Sequence, residues 1–315
     1  PYEIIFTGGG TESNNLVLWN ILFQKRKHII TSAIEHPAVL DVIRHLKEFG
    51  VTSTILPVDR SGRVLLNKVH DAITKDTGLI TIMAANNETG VIQPIQEISQ
   101  IAKRHHIPFH SDGVQTLGKI PVSVNELGVD MMSFSAHKFY GPKGVGALYI
   151  KKEIKLKPHI IGGGQERNLR AGTENISGIA GLGLAAKLSA KHQREREKHL
   201  STLATQFHNN LNDVYPEAVF NSSIDFGLPG IVNVTLPNVT SDIMLIHLDM
   251  KGFAVSSGSA CSSGIVKPSP VLKAMGVSNA MNIRTLRISF GRDNTLSEVD
   301  ELTHAIEDIL KKHGR

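Results

Sequence analysis

The first half of the chain alternates short apolar runs with helix-like segments, and this alternation constrains the fold more than any other feature. Runs such as KHIITSA, GLITIMAA and IPFHSD are typical of strands, whereas HPAVLDVIRHLKEFG and PIQEISQIAKRHH have helical spacing. Strands that alternate with helices predict a mainly parallel sheet with helices on both faces. In such sheets ligands bind at the carboxyl ends of the strands, so polar residues there are candidates for a site.

The pattern changes in the second half of the chain. A long charge-rich stretch from about residue 179 to 212 is predicted to be helical, and short strands and helices follow it up to an amphipathic helix over residues 296–312. We therefore predict an α/β chain of two domains, a large one over residues 1–190 and a smaller α+β one over residues 191–315.

Composition excludes two classes of partner. The longest apolar run, residues 179–186, is far shorter than the roughly 18 residues that a membrane span needs. The net charge of +5 is spread over interspersed charges, and only 5% of the residues are aromatic, which does not resemble a nucleic-acid footprint. We expect neither a membrane nor a nucleic acid as partner, and we assign no residues to a metal ion.

The chain contains one cysteine, Cys261, and no internal disulfide can therefore form. We expect a reducing compartment, the cytoplasm or an organelle matrix. Cys261 is either a small buried hydrophobe, as most lone cysteines are, or a reactive thiol. The chain also starts without methionine at a predicted strand, from which we expect that an N-terminal portion is absent.

Four polar residues stand out at predicted strand ends. Thr11 follows a Gly-rich turn at a helix start, which is typical of a phosphate cradle or of a mere turn. Asp112 follows the run IPFHS and is either a partner for a cationic ligand or a turn residue. His36 and Lys138 also follow predicted strands, and each could instead be structural or solvent-facing. A cradle, an acid and a lysine together suit pyridoxal 5'-phosphate.

Several segments carry a resemblance to a known family. The chain is similar to the NifS/IscS-like cysteine desulfurases of the class V aminotransferase superfamily in GGGTESNN, IEHPAVL, MAANNETG, SDGVQTLGK, SAHKFYGPKGVGALY, GGGQERNLRAGTEN, SSGSACSSG and LRISFGR, which run in family order from end to end. The resemblance implies the fold type I of pyridoxal-phosphate-dependent transferases. Its large domain holds a mainly parallel seven-stranded sheet and the cofactor, and its small domain holds the cysteine loop.

The resemblance also implies a role for each matching residue. Lys138 would bind pyridoxal 5'-phosphate covalently and then move the α-proton, and His36 would stack on the ring and help with proton transfer. Thr173 would reach the phosphate of a neighbouring subunit, which requires a homodimer. The other assignments are Asp112 to the ring nitrogen, Gln115 to the ring hydroxyl, Gly10, Thr11, Ser135 and His137 to the phosphate, and Asn87 and Arg287 to the substrate carboxylate.

Cys261 would be the nucleophile that takes sulfur from L-cysteine as a persulfide, leaving L-alanine. Its small, polar neighbours favour this reading over a core position. The sulfur would pass to an iron–sulfur scaffold or another acceptor protein. Two alternatives stay open: a selenocysteine lyase, and a non-catalytic sulfur carrier or scaffold-binding homologue. The chain departs from the family in Gly8, where serine is common, and in Gly113, where alanine is common.

Overall fold

The computed structural model describes residues 2–258 and 267–314. These residues form two compact units. The first comprises Pro1–Val58, Arg63–Asn86 and Gln93–Gln193, and the second comprises Asp59–Gly62, Asn87–Ile92 and Arg194–Arg315. Two short segments from the first third of the chain thus belong to the second unit.

The secondary structure follows the alternation that the sequence predicts. The strands are β1 Ile4–Thr7, β2 His28–Ser32, β3 Thr52–Leu56, β4 Thr77–Thr81, β5 Phe109–Asp112, β6 Met131–Ser135, β7 Gly146–Ile150, β8 Val219–Phe220, β9 Ile231–Thr235, β10 Ser256–Ser257 and β11 Thr285–Ser289. The α-helices are α1 Gly10–Trp19, α2 Pro37–Leu46, α3 Leu66–Asp71, α4 Ile95–Arg104, α5 Val124–Leu127, α6 Gln165–Asn168, α7 Ile176–Lys191, α8 Gln193–Val214, α9 Ser241–Met250, α10 Pro270–Ala274, α11 Asn279–Asn282 and α12 Leu296–His313. Single 3₁₀ turns cover Asn20–Phe23, Lys47–Phe49 and Ala136–Phe139.

The first unit is built on a seven-stranded sheet with the order β1-β7-β6-β5-β4-β2-β3. The pairs from β6 through β5, β4 and β2 to β3 are parallel, and β7 is antiparallel to both β6 and β1. The predicted mainly parallel α/β sheet is confirmed. Because β2, β4, β5 and β6 are parallel, their carboxyl ends lie at one edge of the sheet.

Successive residues of these strands point to opposite faces, so a parallel sheet covered on both sides reads as a continuous apolar run. On β4, Leu79 joins a cluster with residues of α1 and α2, whereas Ile80 joins a cluster with residues of α4. Met131 and Met132 of β6 divide between the same two clusters. The helices therefore cover both faces of the sheet. This packing on both sides holds the strands, and so the strand ends that carry the candidate site, in place.

The second unit contains, among its described residues, a four-stranded antiparallel sheet with the order β10-β11-β9-β8. Its core joins this sheet to α8, α9 and α12. On α8 the buried positions Leu200, Leu203, Phe207 and Leu211 recur at helical spacing, so one face of that helix packs on the core.

One sequence prediction needs correction. The stretch from 179 to 212 is two helices, α7 and α8, which meet at His192. The first helix, α1, ends at Trp19 and continues as a 3₁₀ turn. The short elements α3 and β8 have too few residues to show a period in the sequence. Among the helices in the described ranges, none combines the length and apolar content that a bilayer crossing requires.

Candidate active site

Asp112 is buried at the carboxyl end of β5. It is 6% exposed; Oδ2 accepts a hydrogen bond from Asn14 Nδ2 at 2.7 Å, and Oδ1 accepts one from Val114 N at 3.0 Å. Burial raises the pKa of Asp112, while these hydrogen bonds and the positive charge of Lys138 act in the opposite direction. Asp112 ends β5, and His36 and Lys138 follow β2 and β6; the carboxyl ends of these three strands lie at the same edge of the sheet.

Lys138 lies on the 3₁₀ turn that follows β6 directly. Two backbone hydrogen bonds fix this turn, from Ala136 N to Val145 O at 3.1 Å and from Gly141 N to Ala136 O at 2.8 Å. A Cβ on Gly141 would come within 2.8 Å of the Ala136 Cβ and 3.0 Å of its oxygen, so the close approach requires glycine. Lys138 is exposed at the strand end, and the next residue, Phe139, is buried. This arrangement presents the lysine amine to a ligand at the sheet edge.

His36 is the N-cap residue of α2, and its ring is oriented by that role. Its Nδ1 accepts a hydrogen bond from Ala38 N at 3.0 Å. A backbone N–H can only donate, so Nδ1 carries no proton and the neutral ring carries its proton on Nε2. Pro37 follows at the first helical position, where its ring is favoured. The imidazole is exposed, as a ring that stacks on a ligand must be.

The start of α1 has the features of an anion site. The first N–H groups of an α-helix have no intrahelical acceptor and carry the positive end of the helix dipole. A Cβ on Gly10 would lie 2.5 Å from Val114 Cγ2 and 3.7 Å from Ser135 Cβ, so glycine is required and Ser135 lies against this turn. Thr11 is exposed in the first helical turn. The Ser135 hydroxyl and His137 Nδ1 are 3.0 Å apart.

The charges around His137 favour an anionic ligand. Burial lowers the pKa of His137, and the positive charges of Lys138 and Lys143 lower it further. A phosphate group placed among these cations would be stabilised by all of them. The predicted phosphate residues Gly10, Ser135 and His137 are therefore close to one another in the first unit.

Gln115 and Thr173 are placed as follows. Gln115 is half-buried three residues beyond Asp112, and its Oε1 accepts a hydrogen bond from Lys119 Nζ at 2.6 Å. Thr173 is exposed in the segment after Arg170, whose guanidinium pairs with Glu12 of α1 at 2.9 Å. The predicted roles of both residues, on the ring hydroxyl and on a neighbouring subunit's phosphate, stay predictions.

Asn87 and Arg287 lie together in the second unit. Arg287 Nη1 donates to the Asn87 carbonyl oxygen at 3.3 Å, while its buried Nε has no hydrogen-bond partner among the described residues. Beside them, burial raises the pKa of Glu88, whose Oε2 accepts from Ser269 Oγ at 2.5 Å; the Arg287 charge acts the other way. The guanidinium therefore keeps a donor that a carboxylate ligand could use. Cys261, the predicted nucleophile, lies outside the described residues.

Two residues of the site were not singled out from the sequence. Asn14 belongs to the segment TESNN, but only the fold shows that it reaches Asp112. Glu35, directly before His36, is buried at 3% exposure. The sequence signal that indicates Glu35 is a charged residue next to a predicted site residue, inside an apolar stretch.

Comparisons with known proteins agree with this geometry. The family model described as aminotransferase class-V matches residues 1–302. The chain therefore belongs to the class V aminotransferase family.

Within that family the chain is similar to proteins named cysteine desulfurase. The chain is 46% identical over 313 residues to a protein of Dictyoglomus turgidum named cysteine desulfurase IscS, covering 98% of this chain and 79% of that protein. A solved NifS-like protein superposes with a TM-score of 0.92 at 40% identity, over 99% of this chain and 83% of that one. A second solved structure, described as SspA in complex with cysteine, superposes with a TM-score of 0.78 at 38% identity, over 92% of this chain and 82% of that one. The predicted likeness to the cysteine desulfurases is confirmed.

Proposed function

We propose that this chain removes sulfur from L-cysteine with the help of pyridoxal 5'-phosphate, giving L-alanine and a persulfide on Cys261. The observation that carries the proposal is the grouping of Asp112, His36 and Lys138 at one edge of the sheet, at the carboxyl ends of the parallel strands β5, β2 and β6. Relatives named cysteine desulfurase and the cysteine complex of one solved neighbour support the choice of substrate.

The residues fit the cofactor. The start of α1 requires glycine at position 10, with Ser135 against it, and the first N–H groups of a helix favour a phosphate. Asp112 is buried, and the donors to its two oxygens, Asn14 Nδ2 and Val114 N, are uncharged, so a protonated ring nitrogen suits it. When bound, pyridoxal 5'-phosphate supplies an electron sink for the electron pair left when the α-proton of cysteine is removed.

Each residue would then have its task. Lys138 Nζ would hold the cofactor covalently and accept the α-proton of the substrate. The Asp112 carboxylate would pair with the protonated ring nitrogen, and burial would strengthen this interaction because the surrounding dielectric is low. His36 would stack on the ring face, and Gln115 would contact the ring hydroxyl. Thr11, Ser135 and His137 would hold the phosphate.

The substrate carboxylate would bind Asn87 and Arg287. The guanidinium offers two parallel donors to a carboxylate, and its buried Nε has no other hydrogen-bond partner among the described residues. The Cys261 thiolate would form a bond to the substrate sulfur as the substrate Cβ–S bond breaks. The cofactor would thus belong to the domain of residues 1–190 and the nucleophile to that of residues 191–315.

We also propose that the chain acts as a homodimer, with Thr173 contacting the phosphate of the partner subunit. In support, the segments on either side of Thr173 expose apolar side chains: Ile161 is 85% exposed, and Ile176, Leu184 and Leu188 of α7 are 74%, 59% and 42% exposed. The three α7 residues lie within an arc of about 120° on that helix. An exposed apolar surface of this kind indicates a protein–protein contact.

Sulfur would pass from the Cys261 persulfide to an acceptor protein such as an iron–sulfur scaffold. The compartment we propose is the cytoplasm or an organelle matrix, because a persulfide-forming thiol needs reducing conditions.

The deciding experiment measures alanine and sulfide from L-cysteine, with and without a thiol reductant. Lys138→Ala should lose turnover and the borohydride-reducible cofactor link, whereas Lys75→Ala, which changes an exposed lysine just before β4, should keep both. Cys261→Ser should keep the cofactor link and lose alanine and sulfide, because a serine hydroxyl is a poor nucleophile toward sulfur. A faster reaction with selenocysteine would favour a lyase, and bound cofactor without any turnover would favour a non-catalytic carrier.

A further inference from the structure

Glu35 is a buried carboxyl group to which the proposed reaction gives no task. It lies in the turn between β2 and α2 and is 3% exposed. One oxygen, Oε1, accepts hydrogen bonds from Ser32 Oγ at 2.6 Å and from Met83 N at 2.8 Å. The other, Oε2, is buried without a hydrogen-bond partner among the described residues. The side chain thus links the end of β2 to the segment after β4.

The same turn holds His36. Asn86 Nδ2 donates to the Ile34 carbonyl at 2.9 Å, so both residues before His36 are fixed from the segment that follows β4. The His36 ring is in turn oriented by Ala38 N. The position of the imidazole therefore depends on the backbone of residues 34–36, which Glu35 ties to two strand ends.

The surroundings favour an uncharged Glu35. Burial raises its pKa to about 8; the hydrogen bonds from Ser32 and Met83 oppose this rise, and the negative charge of Asp112 adds to it. Asp112 is the charged group that acts on Glu35, and the positive charge of Lys138 acts in turn on Asp112. A neutral Glu35 keeps a second negative charge away from the acid assigned to the ring nitrogen.

We propose that Glu35 is a positioning residue that holds the His36 turn between the ends of β2 and β4, and that it does so as a neutral carboxylic acid. The inference rests on the proposed function, in which His36 stacks on the cofactor ring. Glu35 itself touches neither substrate nor cofactor.

The test compares Glu35→Gln with Glu35→Ala. Glutamine keeps a neutral side chain with an oxygen that can accept both hydrogen bonds, so kcat should stay within about threefold of the wild type. Alanine removes the link, and kcat should fall about 100-fold, as small displacements of a catalytic group do. The reducible link to Lys138 should survive in both variants. A fall of kcat in the Gln variant that matches the Ala variant would overturn the neutral form, and an unaffected Ala variant would overturn the positioning role.

A second readout needs no cofactor. The ¹⁵N signals of the His36 ring, assigned by comparison with His36→Asn, report its tautomer and environment in the cofactor-free protein. They should be unchanged in Glu35→Gln and displaced in Glu35→Ala. If the wild type makes no alanine, the proposed function fails, whereas these signals still decide whether Glu35 fixes the ring.

A milder variant guards against a Glu35→Ala chain that does not fold. Ser32→Ala removes one donor to Oε1 and should displace the His36 signals and lower kcat about threefold to tenfold. Ser53→Ala is the matched control, because the Ser53 hydroxyl is buried without a hydrogen-bond partner among the described residues. Identical behaviour of the two serine variants would contradict the positioning role.

Discussion

Asn14 and Asp112, 98 residues apart in the sequence, are joined by a buried hydrogen bond of 2.7 Å. Asn14 belongs to α1, whose first turn forms the proposed phosphate cradle, and Asp112 ends β5. The bond opposes the rise that burial causes in the pKa of Asp112. One side chain therefore couples the two parts of the site that would bind opposite ends of the cofactor.

Asn14→Ala should weaken cofactor binding about 10-fold to 100-fold. Losing a hydrogen bond to a charged group costs about 1.5–3 kcal/mol, and without it the pKa of Asp112 rises further. The loss should therefore be larger at low pH than at high pH. An absorbance titration with pyridoxal 5'-phosphate at several pH values measures both effects. Asn67→Ala, an exposed asparagine of α3, is the control; equal affinities of the two variants would argue against the coupling.

Gly141→Ala should displace the Lys138 turn. The new Cβ would approach the backbone of Ala136, which is buried and has no room to move. We expect a lower melting temperature and a slower covalent attachment of the cofactor to Lys138, followed by borohydride trapping.

Gly183→Ala is the matched glycine control. It lies exposed inside α7, and a Cβ there meets no atom within 4 Å. Alanine is the better helix former by about 1 kcal/mol, so this variant should melt higher. If both glycine variants shifted the melting temperature in the same direction, the steric account of Gly141 would be wrong.

The sequence predicts the sheet because its information is local. Apolar runs ending in Asp112 and Ser135 mark buried strands, and parallel strands bring their carboxyl ends to one edge. Long-range side-chain pairs leave no such pattern. Glu166 and Arg167 are an example of structure that the sequence does not predict. Their φ angles are 46° and 58°, and neither glutamate nor arginine is a residue type that indicates a positive φ.

What holds those two residues is distant in sequence. Glu166 Oε2 accepts from Phe6 N at 3.0 Å, and Arg167 Nη2 donates to Ile4 O at 2.8 Å, both across more than 150 residues. The Asn14–Asp112 bond is hidden for the same reason. For Cys261 the role rests on the family resemblance alone.

Arg287→Lys should raise the KM for L-cysteine about 10-fold to 100-fold while leaving the cofactor absorption unchanged. An ammonium group cannot present the two parallel donors of a guanidinium to a carboxylate. Arg284→Lys is the control, because Arg284 also has a buried Nε without a hydrogen-bond partner among the described residues. Steady-state kinetics with cysteine decide the matter, and an equal rise of KM in both variants would remove Arg287 from the substrate site.

The last prediction concerns the pH dependence of stability through Glu35. The pKa of Glu35 is about 8 in the fold against an ordinary value of 4.5, so between these two pH values the folded chain binds a proton that the unfolded chain has released. The contribution of this proton to stability is fully present below about pH 4.5 and is lost as the pH rises through 8.

Glutamine at position 35 cannot titrate, so the free energy of unfolding of Glu35→Gln should gain on that of the wild type as the pH is raised across this window. Urea unfolding of the cofactor-free proteins at several pH values measures the difference. Glu126→Gln changes an exposed glutamate of α5 and should run parallel to the wild type. If the free energies of unfolding of wild type and Glu35→Gln differed by the same amount at every pH, Glu35 would be ionised in the fold. The proposal that a neutral Glu35 holds the His36 turn would then be wrong.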